Sequence, residues 1–205
     1  MAIWPLRGAD ASNVDEGLFA TGTVAWWPYD EPSSGGTTAV VPAIAKLAEA
    51  YRACSLPIVH VVRLYDGEDV DLPRRAAISA GKPIVRPGTS GSQIAALLMP
   101  RGESELDPEL LLNRGLQQLA DREWAMWKPR WGAFHRTRLH QRLTALEVNT
   151  LVIAGCNYPN CPRATSYASS EHDYRTLLVE DALSGLEDGP SGRSRAHRCH
   201  PRDDR

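Results

Sequence analysis

No stretch of this 205-residue chain approaches the roughly 18 apolar residues of a membrane-spanning helix, and Met1 is not followed by a basic segment and an apolar signal core. The sequence therefore reads as a cytoplasmic protein. Net charge is nearly absent: 23 Lys and Arg against 25 Asp and Glu leave −2. That balance offers no field to attract nucleic acid or an anionic membrane, and neither is expected as a partner. Cysteine is scarce. The four, Cys54, Cys156, Cys161 and Cys199, are too few and too scattered for a disulfide framework. They do not suggest zinc either, because Cys156 and Cys161 form a loose pair with no second pair at ligand spacing. Internal repeats are also absent, and at this length the chain is most simply one domain with a full core.

What is present is an alternation of helical and strand patterns, the mark of a parallel sheet with crossover helices. Apolar residues at Val40, Ala43, Ile44, Leu47, Ala48 and Tyr51 recur at three-and-four spacing and predict one helix over 40–53. Residues 57–62 read as a strand buried on both faces. A short helix is expected over 72–80, a short extended piece at 82–85, and a short helix or turn at 92–99. Strands are expected at 123–128, 150–154 and 175–179, and helices at 137–146 and 162–172. Such a series places its ligand site at the carboxyl ends of the strands. Both ends of the chain break the order. Residues 1–38 hold no clean buried strand, only Gly, Pro, Asp and an aromatic cluster, and read as an irregular segment before a domain at 39–188. Residues 189–205 are Arg-rich without apolar periodicity and are expected to be disordered.

The strand 150–154 stops in the turn Gly155-Cys156-Asn157-Tyr158-Pro159-Asn160-Cys161-Pro162, after which the pattern is helical. A cysteine at the mouth of a helix faces unpaired N–H groups and the positive end of the dipole, and both favour thiolate. Cys161 is thus a candidate nucleophile, set against the ordinary use of free cysteine as a small apolar filler. Pro162 suits the first helical position, and Gly155 closes the strand with a residue free to take unusual dihedrals. Lys128 ends the strand 123–128, at a carboxyl end that should neighbour the Cys161 turn. There it would hold a thiolate or polarise an oxyanion, whereas a lone lysine at such a place also serves as a snorkelling surface residue.

Several motifs agree in order and spacing: Lys128-Pro-Arg-Trp-Gly-Ala-Phe, then Gly155 to Cys161, then Ala164-Thr165, then Val179-Glu-Asp-Ala. Together they resemble the isochorismatase-like cysteine hydrolases, over roughly residues 40–187. The resemblance implies a three-layer α/β/α fold with a mainly parallel central sheet, Rossmann-like in plan. It also implies an Asp-Lys-Cys triad cleaving a small C–N, amide-like bond through a thioester, a homo-oligomer, and a small-molecule substrate with no cofactor. Cys161 looks like the nucleophile and Lys128 its electrostatic partner. The backbone N–H groups of Asn157 and Cys161 would form the oxyanion hole, with a cis peptide at Cys156-Asn157.

The chain departs from the family at the aspartate that should end the first core strand. Nothing in residues 1–13 has the aliphatic-then-Asp form, and Pro5 interrupts what would replace it. Asp10 is the candidate general base, with Asp15 and Asp30 behind it. Without one, the alternative is an impaired or non-catalytic member acting as a small-ligand-binding or assembly subunit. One branch of the family binds a metal through an Asp-x-His and a later His, but the strand 57–62 is followed by Arg63, Leu64, Tyr65 and Asp66. No metal is expected, and His60 reads as a packed core residue. Arg63, Tyr65, Trp131 and Tyr158 are the candidate pocket residues. Redox pairing of Cys156 with Cys161 is a weaker alternative.

Overall fold

The computed structural model describes residues 2–6, 37–66, 69–81, 85–101 and 105–185. The expected extended piece at 82–85, the aspartates Asp10, Asp15 and Asp30, and the tail 189–205 lie wholly or mostly outside the described residues. In chain order the elements are β1 (Ala2–Leu6), α1 (Val41–Ala53), β2 (Ile58–Val62), α2 (Leu72–Ser79), α3 (Pro108–Leu112), β3 (Leu116–Ala120), β4 (Glu123–Trp127), α4 (Leu139–Ala145), β5 (Thr150–Gly155), α5 (Cys161–Glu171) and β6 (Arg175–Leu183). The strands make one six-stranded sheet in the order β3-β4-β2-β1-β5-β6.

Strand alternation divides the core between the two faces of this sheet. Ile58, Val62, Ala125, Trp127, Val152 and Ala154 join one apolar cluster with the buried stripe of α1, Ile44, Leu47, Ala48 and Tyr51. Val59, Val61, Trp124, Met126, Leu151 and Ile153 join a second, which α4 covers with Leu139 and Leu143 and against which Cys161 packs. All residues of β2, β4 and β5 are buried, as strands covered on both faces require. The result is the α/β architecture with helices on both sides of the sheet.

β2 pairs parallel with β4, and β5 with β6. β1 pairs antiparallel with both β2 and β5, and β3 antiparallel with β4. Hence β4, β2, β5 and β6 run one way, and their carboxyl ends share one edge.

The expectation of an irregular segment over 1–38 needs correcting at its start, because Ala2–Leu6 forms a strand in the middle of the sheet. The physical reason is the slot itself. β2 and β5 would each present a row of unpaired N–H and C=O groups there, and a five-residue extended piece satisfies many of them. Pro5 has no N–H for a second neighbour, and the β1–β2 ladder runs only through Ala2 and Ile3. The antiparallel direction pairs Ala2 with Ala154 and Leu6 with Thr150, so the Leu6 end lies at the edge opposite the carboxyl ends of β4 and β5. No described helix is long and apolar enough to cross a membrane.

Candidate active site

Two elements bring their functional residues to the carboxyl edge of the sheet. Lys128 follows β4 directly, and Cys161 begins α5, with Asn160 before it and Pro162 in the first turn. Lys128 is 1% exposed. Its Nζ donates to the Trp131 carbonyl at 2.5 Å, and its charge bears on the Cys161 thiol. Burial pushes the Cys161 thiol up, but the Lys128 charge, with Arg63 adding to it, carries it below the ordinary cysteine value. Burial likewise lowers Lys128, and negative charge on Cys161 only partly offsets this. The pair is thus arranged to share one proton between sulfur and nitrogen.

The turn that carries Cys161 is clamped from behind. Gly155 takes a φ of 119°, which L side chains rarely adopt, and the peptide between Cys156 and Asn157 is cis, as the resemblance implied. The Tyr158 N–H donates to the Ser184 carbonyl at 2.7 Å, and the Ser184 N–H to the Gly155 carbonyl at 3.3 Å. Gly185, with φ 78°, lets this β6 end close on the turn, since a Cβ there would stand 3.1 Å from Pro159 Cδ. Among the described residues, no backbone hydrogen bond uses the N–H of Asn157 or of Cys161.

Thr165 ties the two halves together. Its buried Oγ1 accepts from the Ala133 N–H at 3.0 Å and donates to the Cys161 carbonyl at 2.8 Å. The loop after Lys128 is thereby fixed to the first turn of α5. Thr165→Val keeps the shape and leaves the Ala133 N–H without its acceptor, so a loss of about 1–3 kcal/mol in denaturant unfolding is expected. A loss near zero would mean that this hydrogen bond does not hold the loop.

A cavity of about 600 Å³ runs along the α5 face that begins at Cys161, past Ala164, Ala168 and His172, with Trp131 and Phe134 opposite and Asp71, Arg74 and Arg130 on its wall. Cys161 and Lys128 do not line it. Of the expected pocket residues, Trp131 does. Tyr158 is half-buried and off that wall. Arg63 and Tyr65 are buried side by side, the guanidinium 4.8 Å from the ring centroid. His60 is buried with its Nε2 on Glu123 Oε1 at 2.6 Å. Asp71 and Thr165 were missed as site residues by sequence reasoning. An Asp before a Leu-Pro pair signals the helix cap that Asp71 makes for Arg74, but not its contact with Arg63.

The curated relatives include a "probable inactive nicotinamidase" from Arabidopsis thaliana, 31% identical over 148 residues, covering 70% of this chain and 66% of that protein. A maleamate amidohydrolase from Pseudomonas putida is 34% identical over 58 residues, 28% of this chain and 27% of its own length. The chain therefore spans a little under two thirds of the first relative and about a quarter of the second. Among solved structures, an isochorismatase family protein from Desulfovibrio vulgaris matches with a TM-score of 0.64 at 28% identity, over 82% of this chain and 83% of that one. The isochorismatase domain model matches residues 21–193, most of the sequence, and the chain belongs to the isochorismatase family.

Proposed function

We propose that this chain is a cysteine hydrolase that cleaves a C–N, amide-like bond of a small molecule through a covalent thioester. The observation that carries the reading is the fully buried Lys128 at the end of β4, whose charge bears on the Cys161 thiol at the start of α5. The Cys161 thiolate attacks the carbonyl carbon, and the oxyanion is received by the N–H groups of Asn157 and Cys161. Collapse of the adduct breaks the C–N bond, and the departing amine takes a proton from Lys128, a stronger acid than a solvated ammonium. Water then attacks the thioester and returns its proton to Lys128. The acid leaves and the thiolate is restored, for a net consumption of one water. Asp10, outside the described residues, is proposed as the general base that takes the thiol proton, a contribution typically worth ~10²–10⁴ in rate.

The pH dependence of Cys161 alkylation by iodoacetamide, followed by mass spectrometry, tests this reading. The intact protein is expected to titrate well below the reference of about 8.5, and Lys128→Ala at a higher pH. An unreactive or ordinary thiol in both would remove the hydrolase assignment. It would favour the second reading, a ligand-binding member without catalysis. That reading draws support from the curated relative described as inactive and from the direction of β1, whose Leu6 end points away from Cys161.

A further inference from the structure

Cys156 and Cys161 are a loose pair in sequence, and the fold closes the gap between them. The Asn160 N–H donates to the Asn157 carbonyl at 3.1 Å, and Asn160 Nδ2 donates to Asn157 Oδ1 at 2.9 Å. Residues 157–160 therefore make a tight turn whose end Cα atoms lie within about 7 Å of each other, and the two cysteines flank it directly. The Tyr158 N–H on Ser184 and the Ser184 N–H on Gly155 hold this turn against the end of β6. Backbone hydrogen bonds thus keep the two thiols near one another.

The thiols also share a neighbour. Negative charge on either one bears on the Lys128 ammonium, which is fully buried at the end of β4. Both cysteines are reduced and partly exposed, and Cys161 has the thiolate character that attack on an oxidant needs. Cys54 has no part in this. It caps the end of α1, just before β2 begins, and so stands at the opposite edge of the sheet.

We propose that Cys156 is a resolving cysteine: a hydroperoxide oxidises Cys161, and the two then close an internal disulfide that reversibly withdraws the nucleophile. The inference rests on the hydrolase reading above for what the disulfide silences, and goes beyond it in giving Cys156 a role. The Cys161 thiolate attacks one peroxide oxygen, the S–O bond forms and the O–O bond breaks. The departing oxygen takes a proton from Lys128 and leaves as the alcohol, or as water from hydrogen peroxide. Neutral Lys128 then takes the Cys156 proton, and the Cys156 thiolate attacks the sulfenic sulfur. The S–S bond forms, the S–O bond breaks, and the hydroxide leaves as water with the proton from Lys128. The pair of thiols is oxidised by two electrons and one hydroperoxide is reduced. A dithiol reverses the disulfide by exchange.

The full chain is treated with hydrogen peroxide, blocked with iodoacetamide in denaturant and digested with trypsin. No Lys or Arg lies between Arg142 and Arg163, so residues 143–163 leave as one peptide carrying both cysteines. In the wild type this peptide is expected unalkylated and without its thiol hydrogens, and doubly alkylated when dithiothreitol precedes the block. In Cys156→Ser, Cys161 stops at the sulfenic acid, and its adduct with dimedone is expected to rise roughly tenfold over the wild type. A wild-type Cys161 oxidised to sulfenic or sulfinic acid while Cys156 still alkylates would overturn the proposal. So would a bridge to Cys54 or Cys199, or equal dimedone adducts in the two proteins. Iodoacetamide titration without peroxide reports on the hydrolase reading separately. A Cys161 that titrates low but never bridges sinks the proposal and leaves that reading standing, whereas a bridge in a chain without amide turnover does the reverse.

Discussion

Lys128→Met is expected to abolish turnover and to raise the melting temperature together. Lys128 is fully enclosed, and an ammonium taken out of water costs several kcal/mol unless its partners restore that loss. Its partners are the Trp131 carbonyl and a thiol that can answer the loss of Lys128 by keeping its own proton. No stranded charge therefore remains in the variant, unlike the usual result of removing half of a buried ion pair. The lost hydrogen bond to Trp131 costs about 1 kcal/mol, and the apolar methionine fills a similar volume beside Met126. A net gain of about 1–3 kcal/mol follows, or roughly 2–4 °C of melting temperature per kcal/mol at this chain length. The chemistry moves the other way. Burial then dominates the Cys161 thiol and pushes it up, so both the thiolate and the proton donor are lost, a fall of roughly 10³ in the turnover of any amide the wild type accepts. Calorimetric melting beside that assay decides it. A variant that melts lower than the wild type would show that Lys128 is part of the scaffold, and one that keeps its rate would remove it from the mechanism.

The opposition between stability and activity at Lys128 also explains why the position was legible. Lys128 follows the apolar run 124–127 at the carboxyl end of a strand that is buried along its whole length, and its place beside the Cys161 turn set it apart from a snorkelling surface lysine. β2, β5 and α1 were readable for related reasons: continuous aliphatic runs and a clear helical stripe are signals that each segment carries alone. The elements that escaped are those whose reason for existing lies elsewhere in the chain. β1 is a short piece containing a proline, made a strand by the open edges of β2 and β5. β3 is an edge strand with only Leu119 buried, and α3 is too short to show a period. The same division runs through the site. Cys161 and Lys128 stand at the ends of self-declaring strands or turns. The Thr165 bridge and the Arg63–Asp71 contact join residues 32 and 8 positions apart, and each exists only once the sheet has brought the segments together.

Glu123 should carry the largest share of stability of any single polar residue in this core. It opens β4 at 1% exposure, and its carboxylate accepts from Arg52 Nε and Nη2 at 2.8 and 2.7 Å and from His60 Nε2 at 2.6 Å. One side chain thereby joins the end of α1 to β2 and β4. A carboxylate can only accept, so His60 must present Nε2–H to it. Glu123→Ala leaves Arg52 and His60 facing a hole, and a loss of about 3–5 kcal/mol in denaturant unfolding is expected. The pH dependence has a definite sign. Burial raises the Glu123 carboxyl, but the bonds from Arg52 and His60 hold it below its ordinary value. Its stabilisation is therefore complete above the unfolded value of about 4.3 and is lost as pH falls through the lower folded one. Burial also lowers His60, overriding the pull of Glu123. The unfolded chain then takes up this proton from about pH 6.5 downward while the folded chain resists it, so stability again falls with acid. The two groups act in the same direction in separate windows. Unfolding free energy in the wild type should decline from neutral pH toward pH 5 through His60, with His135, also held low by burial and the neighbouring arginines, adding in the same direction, and more steeply below 4.5 through Glu123. In Glu123→Ala the lower step should disappear while the upper one remains. A wild-type profile that matches that of His60→Gln between pH 7 and 5 would mean that His60 titrates as it does in water, and the buried network would then have to be open to solvent.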